Sequence, residues 1–374
     1  MEQQKKKMGI PVALGIGSTW FASHCGAGFA SGTQEVAFFL SRAWFSAFLP
    51  FVSMGILAIA YYITMELSRE FGLYNYKLWS DKIYSPYQKV FSIIWEIAYL
   101  SVGFIATSAC LAAGGELLLQ KLNIPYYIGI VIVFVLVTII CMYGSKAVVA
   151  ASTAMSISLI IMVVIITFIG ISAGWENSKQ IIADRTVYTS VGDAWWRMLV
   201  YAGYQCTFIG TLVAVSESVK TKANSRNSAI VGWLINALML TLVCVMLMGY
   251  MPAVRNETLP TLYVVDQLGI PLLQVLYSLI LFVALISTAV CCVFGPTQKF
   301  SMQLKFGTER SRPAIISIIY MILALALSTV GLLALVQKGY YYVGIANIPF
   351  TIFAAIFIGG YKLKRKREAN KKAA

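Results

Sequence analysis

Ten apolar stretches, each long enough to cross a bilayer as a helix and nearly free of charge, leave this chain few folds to adopt. A helical crossing takes about 20 apolar residues, and a backbone in hydrocarbon must satisfy its amides within its own segment, so each stretch reads as one helix. The boundaries fall near 9–40, 44–67, 88–119, 125–143, 147–172, 194–219, 228–252, 270–303, 313–336 and 340–362. Of the 374 residues 59% are hydrophobic and 12% charged, about half the charge of a soluble domain. The expectation is an all-α polytopic membrane protein with about ten transmembrane helices. The first stretch follows Lys5, Lys6 and Lys7 in the manner of a signal peptide, but its length, its glycines and the span right after it mark it as retained.

The net charge of +14 could suit nucleic acid, an anionic solute or a lipid surface, and position decides among them. With a cytoplasmic N-terminus, 22 basic residues fall on the inner side and 7 on the outer, as the positive-inside rule requires. Both termini are then cytoplasmic in a cell membrane, and nucleic acid is set aside because the basic residues are loop-borne. The tail, residues 363–374, reads as a stop-transfer anchor with a possible affinity for anionic lipid. The seven cysteines lie scattered in apolar runs as small buried hydrophobes. A lone histidine, His24, argues against a histidine-ligated metal or a triad. No HExxH, nucleophile–histidine pair or paired in-membrane aspartate is present, so no enzyme and no cofactor is expected.

Two spans are interrupted near mid-membrane by polar and helix-breaking residues. The first reads WFASHCGAGFASGTQE from Trp20 to Glu35, and the sixth reads YAGYQCTFIGT from Tyr201 to Thr211. Matching interruptions five spans apart point to a secondary transporter built as a 5+5 inverted repeat with broken helices 1 and 6. The halves are 9–172 and 194–362, joined by an outer loop at 173–193, with a short N-terminal tail at 1–8. That loop and the stretch Thr258 to Leu268 are candidate lids. Gly26, Gly28 and Gly32 also fit a close-packing seam between helices.

Unwound backbone at membrane depth must face protein, water, ion or solute. A new helix starting after Gly28 offers free N–H groups to a carboxylate, and carbonyls left on the preceding half suit a small hard cation. In span 8, Ala284, Ser287 and Thr288 fall at i, i+3 and i+4 on one face. One carbonyl and two hydroxyls there, with two carbonyls from span 1, make a five-oxygen shell for Na+, although such hydroxyls also bond back to their own helix.

The span 1 run, the break in span 6 and the Ala-Leu-Ile-Ser-Thr pattern of span 8 resemble the amino acid, polyamine and organocation superfamily with the LeuT fold, and more narrowly the YkvI-like bacterial membrane proteins. The resemblance implies a Na+ site from the carbonyls of Ala22 and Cys25 with Ala284, Ser287 and Thr288. It places a solute between the breaks, its carboxylate on the backbone of Gly26, Ala27 and Gly28 and its other side along Tyr204, Gln205, Cys206 and Thr207. Phe208 would close over it, and Tyr99 in span 3 would cap it or gate the path; both also fit an aromatic bundle core. No Asn follows the glycines, and Asn236 in span 7 is available either for a second Na+ site or for an interhelical hydrogen bond.

Ionisable groups inside spans imply a partner or a function. Glu35 fits a cationic solute group, a proton, or a pair with Arg42 at i+7; His24 fits a titrating group or a satisfied hydrogen-bonding one. Glu66 is expected to pair with Arg69, Glu217 with Lys220 or another inner base, and Glu96 and Glu116 to be interfacial or paired. The leading expectation is a Na+-coupled symporter of a small amino-acid-like or amine-bearing solute, with the lipid bilayer, the solute and Na+ or H+ as its partners. The alternatives are a proton-coupled transporter of the same fold and a transporter-like sensor that binds without flux.

Overall fold

The computed structural model describes residues 2–143, 145–301, 304, 307, 308 and 311–373; Lys305 and Arg310, two of the basic residues after the eighth span, lie outside them. All ten apolar stretches are helical. The first is split into α1 (Glu2–His24) and α2 (Ala27–Ser31), continued by Thr33–Glu35 and a π-helical segment, Val36–Leu40. There follow α3 (Pro50–Phe71), a short α4 (Tyr76–Tyr84), α5 (Gln88–Leu122), α6 (Tyr126–Tyr143) and α7 (Ser145–Ala183). The second half holds the split pair α8 (Val191–Cys206) and α9 (Ile209–Val215), then α10 (Lys222–Met248), α11 (Pro260–Gln267), α12 (Pro271–Ser301), α13 (Ser311–Ser328) and α14 (Leu332–Lys372). Among the described residues seven helices are long and apolar enough to span a membrane, and the α8–α9 pair, bent by 43°, makes an eighth. The shorter α6 and the interrupted α1–α2 complete the ten, and the chain is a multi-pass membrane protein.

Local chemistry sets the helix ends. Ser190 caps α8 by accepting from the Asp193 amide, Thr221 caps α10 by accepting from Asn224, and Pro50 and Pro260 stand in first turns where no N–H is needed. Three boundaries differ from those read in the sequence. α7 stays helical to Ala183, so the connector expected at 173–193 shrinks to about seven residues before α8; the polar residues Trp175 to Lys179 ride on a helix that outlasts its apolar run. α13 stops at Ser328, and Gly331, at a φ of 89°, reverses the chain, so residues 332–336 open the tenth span instead of closing the ninth. The basic stretch 363–373 is the helical end of α14, not a loose tail. The lid expected at Thr258 to Leu268 is α11.

Packing divides the helices into two bodies. α1 lies on α10, α10 on α3 and α3 on α8, while α12 lies on α5, α6, α7 and α13. α7, packed on α12, also touches α10, and α14 touches α8 and α3 on one side and α5 on the other, so these two connect the bodies. The broken spans run antiparallel: α1 meets α9, and α8 meets Val36–Leu40. On the side of the termini, the fully buried Glu66 is held by Arg69, by Ser225 Oγ at 2.6 Å and by Arg367 of α14. On the far side Arg42 pairs with Asp193 at 3.2 Å, and Arg197 lies 4.1 Å over the Tyr341 ring.

α8 and α14 cross where Gly203 faces Gly344. A Cβ on Gly203 would lie 2.2 Å from the Gly344 carbonyl oxygen, and one on Gly344 2.4 Å from the Val200 oxygen. Gly203→Ala is therefore expected to lower the unfolding temperature in detergent by several degrees, an overpacking cost of about 1–3 kcal/mol. Gly15→Ala, whose added methyl meets nothing within 4 Å, is the control and should leave it unchanged or slightly raised.

Candidate functional site at the two helix breaks

α1 ends at His24, and Gly26 caps α2, so the second half of the first span begins at Ala27, earlier than the start after Gly28 expected from the glycines. The Gly26 amide turns back to the His24 carbonyl at 2.8 Å. In consequence no backbone amide among the described residues donates to the carbonyls of Ala22, Ser23 or Cys25, and no backbone carbonyl accepts from the amides of Ala27, Gly28 or Phe29. Each such group costs about 1–3 kcal/mol if left unpaired away from water, so the break calls for a ligand or solvent. A second interruption, absent from the sequence reading, falls at Gly32, where φ is 82° and the α11 residue Thr261 crowds the site of any Cβ. Thr33 Oγ1 donates to the Thr258 carbonyl at 2.7 Å, and Tyr277 donates to that of Ala30, so α11 and α12 hold down the far half of the span.

The two breaks are tied by a directional chain of hydrogen bonds. Asn236 Nδ2 donates to the Gly232 carbonyl at 2.8 Å, which turns its Oδ1 toward His24 Nδ1 at 2.7 Å. The Nδ1–H tautomer follows from that network, leaving Nε2 to accept from the Tyr201 hydroxyl at 2.5 Å. Tyr201 in turn accepts from Gln205 Nε2 at 3.3 Å, and the Gln205 carbonyl accepts from Tyr61 at 3.0 Å. His24 is thus a buried, neutral, fully engaged ring that links α1, α10 and α8, and Asn236 serves as an interhelical hydrogen bond.

Glu35 is in a different position. It is 0% exposed, with Gln34 at 1%, and it does not pair with Arg42. The reason is the π-helical turn that follows it: Arg42 lies beyond that turn, held by Asp193 and by the Ala37 carbonyl at 2.7 Å. No hydrogen-bond partner reaches either Glu35 oxygen among the described residues. Gln34, which the sequence reading passed over, packs its Oε1 3.0 Å from the position of a Cβ on Gly28, in the space assigned to a solute carboxylate.

The remaining expected residues divide by location. Tyr204, Gln205, Cys206 and Thr207 are buried at the α8–α9 bend. Tyr204 stacks on Tyr340 at 4.2 Å, and Thr207 accepts from Asn347 at 3.1 Å, so both face α14 as well as the bend. Phe208 caps α9, half-buried, edge-on to Tyr204. Tyr99 stacks on Trp95 and Tyr76 and crowds Gly210 of α9, which sets it below the bend on the terminus side. Glu66 pairs with Arg69, Glu96 with Lys299 and Tyr76, and Glu116 accepts from Gln120; no ion pair of Glu217 is found among the described residues. The seven cysteines are free thiols, four of them buried and Cys291 exposed.

On α12 the face carrying Ala284, Ser287 and Thr288 meets the break: a Cβ on Gly26 would lie 3.7 Å from the Thr288 methyl. The two ends of the site differ in access. From Ala27 to Ser41 every residue is buried, whereas Ser18 and Ala22 of α1 are exposed and Ser23, Gly26, Ser287 and Thr288 are half-buried. The far side of the break is therefore lined by buried residues throughout, and the partly exposed residues lie on α1 and α12.

No protein-family model and no curated protein matches the sequence. Solved structures match along nearly all of it. MhsT in complex with L-phenylalanine aligns with a TM-score of 0.64 and 13% identity, over 94% of this chain and 97% of that one. Mhp1 in its inward-facing conformation aligns at 0.60 and 12%, over 96% and 91%. A Na+-coupled sialic acid symporter in a substrate-bound outward-open state aligns at 0.60 and 14%, over 92% and 79%. The chain has the LeuT-type fold. Its ten spans, inverted halves and two breaks are those of that architecture, and at these identities the match is one of fold.

The His24 link generates a test. Asn236→Ala and Tyr201→Phe each strip one partner from the buried imidazole, so each should lower the unfolding temperature, at a cost of about 1–3 kcal/mol. The double variant should lose less than the sum, because both act through one ring; additive losses in detergent unfolding would show that the ring is not the shared link.

Proposed function

We propose that the chain is a secondary active transporter of a small amino-acid-like or amine-bearing solute, coupled to Na+, and that it stands among the YkvI-like bacterial membrane proteins. The observation that carries this reading is the break itself: carbonyls and amides that make no backbone–backbone hydrogen bond, within an apolar span, inside a fold divided into two packed bodies. A channel needs a continuous polar path, whereas this site is blocked on its far side by buried residues throughout. Rocking of the α1–α3–α8–α10 body against the α5–α6–α12–α13 body would expose the break to one face and then the other. The sidedness of the basic residues makes the terminus side cytoplasmic.

For Na+, the carbonyls of Ala22 and Cys25, which no backbone amide among the described residues reaches, would supply two oxygens, and Ala284, Ser287 and Thr288 of α12 the others; support for this is the contact of Thr288 with Gly26. Thr288 turns its methyl to Gly26 here, so a rotation about its Cα–Cβ bond brings the hydroxyl to the ion as the bodies close. Coupling is reciprocal: if Na+ raises solute affinity, solute raises Na+ affinity by the same factor. His24, engaged at both nitrogens, is a hinge link in this scheme and not a proton carrier.

NaCl should stabilise the purified protein against heat relative to choline chloride at fixed pH and ionic strength, since an ion that binds only the folded chain raises stability by mass action. Thr288→Val should leave the unfolding temperature in choline chloride intact and weaken the response to Na+ at least tenfold. An unchanged response would remove the ion assignment. Proteoliposome uptake of a radiolabelled amino-acid panel, with Na+ exchanged for choline and then with pH varied, separates sodium coupling, proton coupling and binding without flux.

A further inference from the structure

The pair Gln34–Glu35 has no task in the scheme above, yet it holds an acidic side chain buried at membrane depth without a counter-charge. The titratable groups within electrostatic reach of Glu35 come from four elements: Cys25 at the break, Tyr201 and Tyr204 on α8, Cys244 on α10 and Tyr277 on α12. All are thiols and phenols, and none is a cation. Their hydroxyls are already engaged, Tyr201 with His24, Tyr277 with the Ala30 carbonyl and Tyr204 with Tyr340. The phenols belong to an aromatic cluster that includes Phe38, 5.4 Å from the Tyr201 centroid and stacked on Tyr204. The Gln34 amide lies beside the Glu35 carboxyl, its one polar side-chain neighbour in sequence, though outside strict hydrogen-bond geometry.

A carboxylate in such a place is costly until something positive meets it, and among the described residues none forms an ion pair with it. A neutral or anionic solute leaves the charge unmatched. An ammonium group matches it, supplies N–H donors to carboxylate and amide alike, and is held favourably against ring faces. We propose that Gln34 and Glu35 form the subsite for the primary ammonium group of the solute, with Glu35 pairing its charge, Gln34 supplying a second hydrogen bond and the Tyr201, Tyr204 and Phe38 rings flanking it. The assignment rests on reading the interrupted spans as a solute site and narrows that reading to amine-bearing solutes. Gln34, which rests over Gly28, suits this role because an amide can present either oxygen or nitrogen to a solute group.

Thermal unfolding of the purified full chain in detergent tests this with ethanolamine as the ammonium probe and ethylene glycol, sodium acetate and NaCl beside it. Ethanolamine should raise the unfolding temperature in a saturable way, and ethylene glycol should not. Glu35→Gln should abolish the ethanolamine shift while unfolding, without ligand, no lower than the wild type. Glu35→Asp should keep the shift with at least tenfold weaker affinity, and Gln34→Leu should weaken it as well. A shift that survives Glu35→Gln overturns the proposal, and so does a Glu35-dependent shift given by NaCl alone, which would mean a metal-ion site. A Glu35-dependent response to pH without any response to ethanolamine overturns it in favour of a proton site. Should Glu35→Gln fail to fold, unchanged ethanolamine affinity in Gln34→Leu overturns it equally. The assay uses no gradient, so a chain that binds ethanolamine through Glu35 but shows no flux in proteoliposomes defeats the transport reading and leaves the subsite standing, while flux of neutral solutes without amine binding does the reverse.

Discussion

Hydrocarbon gives a peptide group nothing to bond to, and the architecture of this protein depends on where that constraint is met and where it is relaxed. Along most of its length the chain meets it with unbroken helices. At His24–Ala27 and at Cys206–Phe208 it does not, and the surrounding helices are arranged to shelter the exceptions. α10 supplies Asn236 to the first break through His24, α8 supplies Tyr201, and α3 supplies Tyr61 to the second. Four helices distant in sequence are thereby joined by polar contacts in a largely apolar interior. Such contacts keep their direction because each donor has one acceptor within reach.

The asymmetry of the site follows from what lies above and below it. On the far side α11, α12 and the Arg42–Asp193 pair close over residues 27–41, and no polar group there reaches solvent. On the side of the termini, α1 leans on α10 and α9 and leaves its Ser18 and Ala22 face open. On that side Glu66 with Arg69, Ser225 and Arg367 lies within one body and its α14 arm, while Tyr99 of α5 meets Gly210 of α9 across the bodies. The break is thus bordered by buried residues on one side, with the half-buried Ser287 and Thr288 at its other edge.

The spans were legible because burial in lipid demands apolar runs of fixed length, and the first break because glycine, serine and histidine are poor company for a membrane helix. The hydroxyl face of α12 followed from helical spacing alone. What local pattern did not reveal were contacts between remote segments. His24 finds its partners 177 and 212 residues away; the sequence showed that His24 and Asn236 were present, not that they met. Gln34 stood in the quoted run but looked like an ordinary polar residue, since only the backbone turn at Gly32 folds its amide onto Gly28. The expected Glu35–Arg42 pair rested on α-helical spacing, which the π-helical turn between them removes. The ends of α7 and α13 were misplaced because hydropathy marks where a helix leaves lipid, not where its hydrogen bonds stop.

Where α8 crosses α14, the surfaces in contact at Gly203 and Gly344 are main chain against main chain. At the crossing itself the nearest atoms are backbone, flanked by Val200 and Ile348, so its separation is set by peptide geometry more than the angle across it. It lies one turn before the α8–α9 bend, beside the stacked rings of Tyr204 and Tyr340. A helix pinned there turns its two ends in opposite directions about a point that stays still, and a small tilt at the Arg197–Tyr341 end becomes an opposite displacement of the bend.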